Sequence, residues 1–249
     1  MKKFKTGLVL SGGGARGFAH LGIIKALNEK GIFPDIISGT SAGAIAGSLI
    51  ADGYTPEEIF VRQTRKPFFS YTKFNFFKKG LLNYKNLRKV LSEAYSVKKI
   101  EDLKIPFYAC VTNLNTGKAE YLNTGNLVDV VTASASVPFL LKPVEINGIT
   151  YTDGGLIDNL PVKPLLGKCE KIICVNLIYL QHIKEFKSFK QLTARMFDVS
   201  TYHNRKTYIS ECDILIEPPE LYKQPYFSNK KARETFNIGY EYVLKSDFF

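Results

Sequence analysis

Short apolar runs alternate along the chain with longer stretches whose apolar residues recur every three or four positions. Residues 6–10, Thr6-Gly7-Leu8-Val9-Leu10, are the first run and predict a buried strand. Residues 18–30 then place Leu21, Ile24 and Leu27 at helical spacing, with Gly31 set to end the helix. A second strand at 35–38 leads through a glycine-rich turn into a small-residue helix at 44–52. Two successive strand–turn–helix units imply a parallel sheet covered by helices. Thr55-Pro56-Glu57-Glu58 has the proline and acids of a helix start. Further strands are predicted at 106–112, 119–122, 149–152, 171–176 and 214–216, the first two joined through Asn115-Thr116-Gly117. Helices are predicted at 127–135, closed by Ser136-Val137-Pro138, and at 230–245. No internal repeat or linker interrupts this order, so residues 1–249 are expected to form one α/β domain.

The glycines at the strand ends carry the candidate chemistry. Gly39-Thr40-Ser41-Ala42-Gly43 is a G-x-S-x-G turn between a strand and a helix. Such a turn lifts the serine hydroxyl above the sheet in a strained backbone state, and its glycines remove the Cβ atoms that would block it. Read alone, the pentapeptide is equally a glycine turn with a capping serine. Gly12-Gly13-Gly14-Ala15-Arg16-Gly17 lies between the first strand and helix and offers backbone N–H groups to a phosphate or an oxyanion. Its Gly12, Gly14 and Gly17 also fit a dinucleotide fingerprint. That fingerprint wants an acid at the end of the second strand, where Ser41 stands instead; Asp35 is at the strand's start. Both loops should lie beyond the carboxyl ends of adjacent strands, where open α/β sheets bind ligands.

A serine nucleophile needs a base. His20, His182 and His203 are the only histidines, and none lies in a strand-ending turn, so they read as surface or packing residues. Asp153 ends the strand at 149–152, and Gly154-Gly155 turns the chain sharply after it. Burial against a hydroxyl can raise an aspartate's basicity enough to take the serine proton. Asp158 is the nearby competitor. A Ser-Asp-His order, with His182 or His203 completing a triad, would suit an α/β-hydrolase, but that fold's elbow follows several strands and here it comes at residue 41.

These three blocks, together with Ala133-Ser134-Ala135-Ser136-Val137-Pro138 and Asn159-Leu160-Pro161, resemble the patatin-like phospholipase family, its short bacterial members in particular. The likeness covers about residues 6–180, and the remainder matches no block. The resemblance implies a three-layer α/β/α fold with a mostly parallel sheet, no metal or cofactor, and hydrolysis of a lipid or other acyl ester. It implies Ser41 as nucleophile, Asp153 as its base, and an oxyanion hole drawn from Gly12, Gly13, Gly14, Arg16 and Gly17. The rival is a non-catalytic module of the same fold that binds a nucleotide or an anionic lipid through the glycine loop.

Composition adds partners and compartment. Hydrophobic residues are 45% and charged residues 23%, which excludes a disordered chain. The net charge of +11 favours anionic partners. Between Ile59 and Ser92 there is no acid, but many lysines, arginines and phenylalanines. Phe68, Phe69, Phe74, Phe76, Phe77, Lys78 and Lys79 are therefore candidates for docking on an anionic membrane surface. A cap packed on the core, its charges solvated, is an equal reading. A nucleic-acid groove would use the same residues, but no nucleic-acid fold signature accompanies them. The four cysteines, Cys110, Cys169, Cys174 and Cys212, form no C-x-x-C pair and are expected to be free thiols in a reduced compartment. With no apolar stretch of about 20 residues and no leader-like run after Met1-Lys2-Lys3, the expectation is cytoplasmic, with membrane contact only at the surface. Oligomeric state is not legible.

Overall fold

The computed structural model describes residues 4–65, 85–138, 140–180, 182–183, 185–186, 189–204, 209–226 and 228–248. Leu8, Val9 and Leu10 are all buried because their strand, β1 (Phe4–Leu10), lies inside the sheet with neighbours on both sides. Helix α1 (Phe18–Glu29) returns the chain to β2 (Ile36–Thr40), which pairs parallel with β1, and α2 (Ala42–Asp52) follows. Helices α3 (Pro56–Arg65) and α4 (Lys85–Ala94) precede β3 (Phe107–Asn113), parallel to β2. Strand β4 (Lys118–Leu122) forms a hairpin with β3. Its turn is held by Asn113 Oδ1, which accepts from the N–H groups of Asn115 and Thr116, with Gly117 at φ 69°. Helix α5 (Leu127–Ser134) leads to the hairpin of β5 (Val144–Ile146) and β6 (Ile149–Asp153). The chain then crosses to β7 (Cys169–Val175), parallel to β1 on its other side. After α6 (Phe189–Asn204) it adds β8 (Ile214–Ile216) at the edge, and α7 (Ala232–Leu244) closes the described chain.

Alternation along the strands divides the core. Leu8, Leu10, Ile37, Ile173 and Val175 face one cluster, with residues of α1 to α5 and α7. Val9, Ile36, Ile172 and Cys174 face the other, covered by Leu160, Val162 and Leu165 around a short 3-10 turn. This is the expected three-layer α/β/α arrangement on a mostly parallel sheet, one outer layer thinner than the other.

Strand β3 positions the site. Residues 109 and 110 pair with both β2 and β4, and residues 111–113 pair with both β4 and β6. A strand has two edges, so β2 and β6 must share the edge opposite β4. They meet there end to end: Thr40 stands opposite Cys110 and Asp153 opposite Val111, the next residue.

One expectation changes. Cys174 and Cys212 are joined in a disulfide, with Cα atoms 5.9 Å apart, and Cys110 and Cys169 are buried outside it. Cys212 lies just before β8, whose Leu215 is the residue opposite Cys174, so the bond joins distant positions outside the strand register, a proximity that the lack of a C-x-x-C spacing concealed. A disulfide is rare in a reducing cytosol, so cysteine usage no longer argues for one. The basic aromatic stretch also divides. At its far end α4 is an amphipathic helix whose Leu87 and Leu91 are buried, and Arg88 is ion-paired with Asp129. Phe68, Phe69, Phe74, Phe76, Phe77, Lys78 and Lys79 lie outside the described residues.

Candidate active site

Ser41 sits at the junction of β2 and α2 with φ 54° and ψ −117°, a positive φ that a non-glycine residue seldom adopts. The flanking glycines make the turn feasible. A Cβ on Gly43 would lie 2.2 Å from Leu10 O, and one on Gly39 would lie 2.5 Å from Gly43 O. The Ser41 N–H donates to Ser134 Oγ at 3.0 Å, and the Ser134 hydroxyl donates to Cys110 O at 2.6 Å. The bent turn is thereby tied to the strand beside it.

Asp153 is fully buried at the end of β6. Its N–H donates to Ser136 O at 3.1 Å and its own carbonyl accepts from Thr112 Oγ1 at 2.9 Å. Oδ1 accepts from Gly155 N–H at 2.8 Å, whereas Oδ2 has no regular hydrogen-bond partner. Burial pushes the carboxyl up to about 7, opposed by the nearby Ser41 hydroxyl and by Gly155 N–H. The structure thus brings Ser41 and Asp153 together, without a closed hydrogen bond between them. Asp158 is occupied elsewhere: Tyr121 O–H donates to its Oδ2 at 2.6 Å and Leu160 N–H to its Oδ1 at 3.2 Å. Burial raises its carboxyl to about 6.

The glycine loop lies against both. A Cβ on Gly12 would be 3.2 Å from Ser41 Cβ and 2.5 Å from Asn159 Oδ1. The five candidate donors separate by occupancy. Gly12 N–H donates to Asn159 O and Arg16 N–H to Gly13 O. Gly17 closes the short 3-10 turn Gly14–Gly17, where a Cβ would meet Ala42 Cβ at 2.9 Å. The Arg16 side chain is buried, donating from Nε to Gln224 O at 3.3 Å beside the Tyr226 ring. The N–H groups of Gly13 and Gly14 make no hydrogen bond among the described residues. Gly154 is held by crowding, since a Cβ there would lie 2.4 Å from Cys110 O. Among the histidines, His20 is buried and its neutral ring bonds Ser11 O through Nε2 at 2.8 Å, burial pushing its pKa down to about 4. That bond ties the ring to the residue just before the glycine loop. Among the described residues no cluster of three or more His, Cys, Asp or Glu is placed to hold a metal.

Two contributors carry no warning from residue type alone. Ser134 and Ser136 lie in one short block and brace the serine turn and the aspartate respectively, which the block's sequence hints at only by its position. The chain after β8 also reaches back: Tyr226 O accepts from Ala15 N–H at 2.8 Å. That contact joins residues more than two hundred apart, and no local pattern signals it.

A family model described as patatin-like phospholipase matches residues 8–166. The chain belongs to the patatin-like phospholipase family. It is 35% identical over 188 residues to lysophospholipase NTE1 of Saccharomyces cerevisiae, covering 69% of this chain and 11% of the yeast protein. It is 38% identical over 184 residues to lysophospholipase NTE1 of Kluyveromyces lactis, covering 68% and 12%. The chain therefore spans about a tenth of the length of these relatives. Among solved structures, VipD from Legionella pneumophila superposes with a TM-score of 0.55 at 17% identity, covering 98% of this chain and 66% of that one. That likeness is one of fold.

Proposed function

We propose that this patatin-like domain is a serine lipid acyl hydrolase of the phospholipase A or lysophospholipase type, working through a Ser41–Asp153 dyad. The observation that carries the reading is the end-to-end meeting of β2 and β6 on β3, which sets a strained serine beside a buried, half-unpaired carboxylate. The names of the yeast relatives and the family itself support a lipid ester as substrate.

In the first step the Ser41 oxygen bonds to the ester carbonyl carbon while its proton passes to Asp153. The carbonyl electron pair moves onto oxygen, and the unoccupied N–H groups of Gly13 and Gly14 stabilise that charge, aided by the N-terminus of α2. Collapse expels the alcohol, which takes the proton from Asp153. Water then attacks the acyl-serine, giving its proton to Asp153. Breakdown releases the fatty acid and returns the proton to Ser41.

Hydrolysis of a short p-nitrophenyl ester tests this. Ser41→Ala and Asp153→Asn are each expected to lower kcat/KM by at least ~10³-fold while circular dichroism stays unchanged. Full activity in Ser41→Ala would remove the serine from the mechanism.

A further inference from the structure

Helix α3 breaks its own pattern at one position. Its buried residues are Pro56, Ile59, Phe60 and Gln63, at i, i+3, i+4 and i+7, so an amide takes the last place on a core-facing stripe. Gln63 is 9% exposed and makes no hydrogen bond among the described residues. A buried amide without a partner costs stability, so packing alone gives no reason for it. Gln63 lines a small cleft together with Gly14 of the glycine loop, Ala42, the residue after Ser41, and Ile45 and Ala46 of α2. Asn229, in the short turn ahead of α7, adds a second amide to the lining, and its Oδ1 is enclosed without a regular partner. No charged side chain lines the cleft among the described residues.

We propose that this cleft binds a free hydroxyl on the alcohol half of the ester, with the Gln63 and Asn229 amides selecting partial glycerides over esters of simple alcohols. An amide carries both a donor and an acceptor, as a hydroxyl does, so the two can pair in either sense. The uncharged lining does not suit a phosphate. A hydrocarbon chain would leave both amides unpaired, and the cleft is small for one. Its place gives the subsite its sense. Gly14 offers one of the two open N–H groups for the oxyanion, and Ala42 follows the nucleophile, so a group held there is next to the reacting carbonyl. Asn229 stands outside residues 8–166, so part of the subsite comes from the chain beyond the family match. The inference rests on the lipid-hydrolase reading and adds the residues that sort its alcohols.

Monooctanoylglycerol and ethyl octanoate carry the same acyl group and differ in the hydroxyls of the alcohol. The parent is expected to favour the glyceryl ester by at least ~10-fold in kcat/KM. Gln63→Leu and Asn229→Leu are each expected to remove most of that preference by slowing the glyceryl ester, while ethyl octanoate stays within about twofold of the parent. Gln63→Leu is also expected to melt no lower than the parent, because the amide it removes has no partner to lose. No preference in the parent, or a preference kept when both residues are replaced, overturns the proposal while the hydrolase reading stands. An equal fall on both esters with a lower melting temperature also overturns it, because Gln63 would then serve only the fold. If the parent cleaves neither ester, the hydrolase reading falls and the subsite falls with it.

Discussion

At the scale of single residues, the decisive group is the Asp153 carboxyl. Burial holds it near neutral pH, whereas an exposed aspartate ionises near 4. A base must be ionised, so kcat/KM for a soluble ester is expected to rise with pH through an apparent pKa of about 7 and level off above it. A limb at the ordinary carboxylate pKa would mean that another group takes the proton. The same shift bears on stability. The folded state holds a proton that the unfolded chain has lost between about 3.8 and 7, so this contribution is complete below that window and lost as pH rises through the folded pKa. Asp153→Asn, neutral throughout and still able to accept from Gly155 N–H, is therefore expected to melt higher than the parent at pH 8 while inactive. Ser134 is a second test. Ser134→Ala leaves the Ser41 N–H without its partner in a buried turn, which should cost about 1–3 kcal/mol of stability and lower kcat more than it raises KM. An unchanged melting temperature would show that the turn does not need this brace.

At the scale of elements, alternating apolar runs make the strands legible because both faces of the central sheet are buried. The first helix and the serine turn were legible for the same kind of local reason, periodicity in one and paired glycines in the other. What could not be read was β3 as a shared rail. The strand at 106–112 is plain in the sequence, but that β2 and β6 end at adjacent residues of it is a matter of register between strands more than a hundred residues apart. Asp153 could thus be chosen as a strand-ending acid, yet its meeting with Ser41 is a fact of three dimensions. Strand β5 is only three residues long, too short to carry a period. Helix α6 escaped because it lies in a polar, lysine-rich stretch where no run of apolar positions stands out. The glycine loop was legible as a donor loop, but which N–H groups stay free depends on Asn159 and the loop's own turn, and no spacing rule distinguishes them.

At the scale of the whole molecule, the chain beyond β7 supplies two long-range ties: the segment ending at Tyr226 supports the glycine loop, and Cys212 is bonded to Cys174. The disulfide spans 38 positions and anchors the edge strand β8. Cys212→Ser is expected to reduce stability by roughly 2–4 kcal/mol, seen as a lower denaturant midpoint under oxidising conditions, with the difference from the parent vanishing in excess dithiothreitol. An equal midpoint under oxidising conditions would show that the two sulfurs do not pair in solution. The proposed chemistry, however, depends on Ser41 being reactive and on Asp153 serving as its base. The most direct measurement is covalent labelling with a fluorophosphonate, followed by peptide mapping and repeated on Asp153→Asn. A single adduct on Ser41, formed at a rate that collapses in the Asp153 variant, is the expected result. Labelling at another residue, or of Ser41 at an undiminished rate without the Asp153 carboxylate, would contradict the dyad.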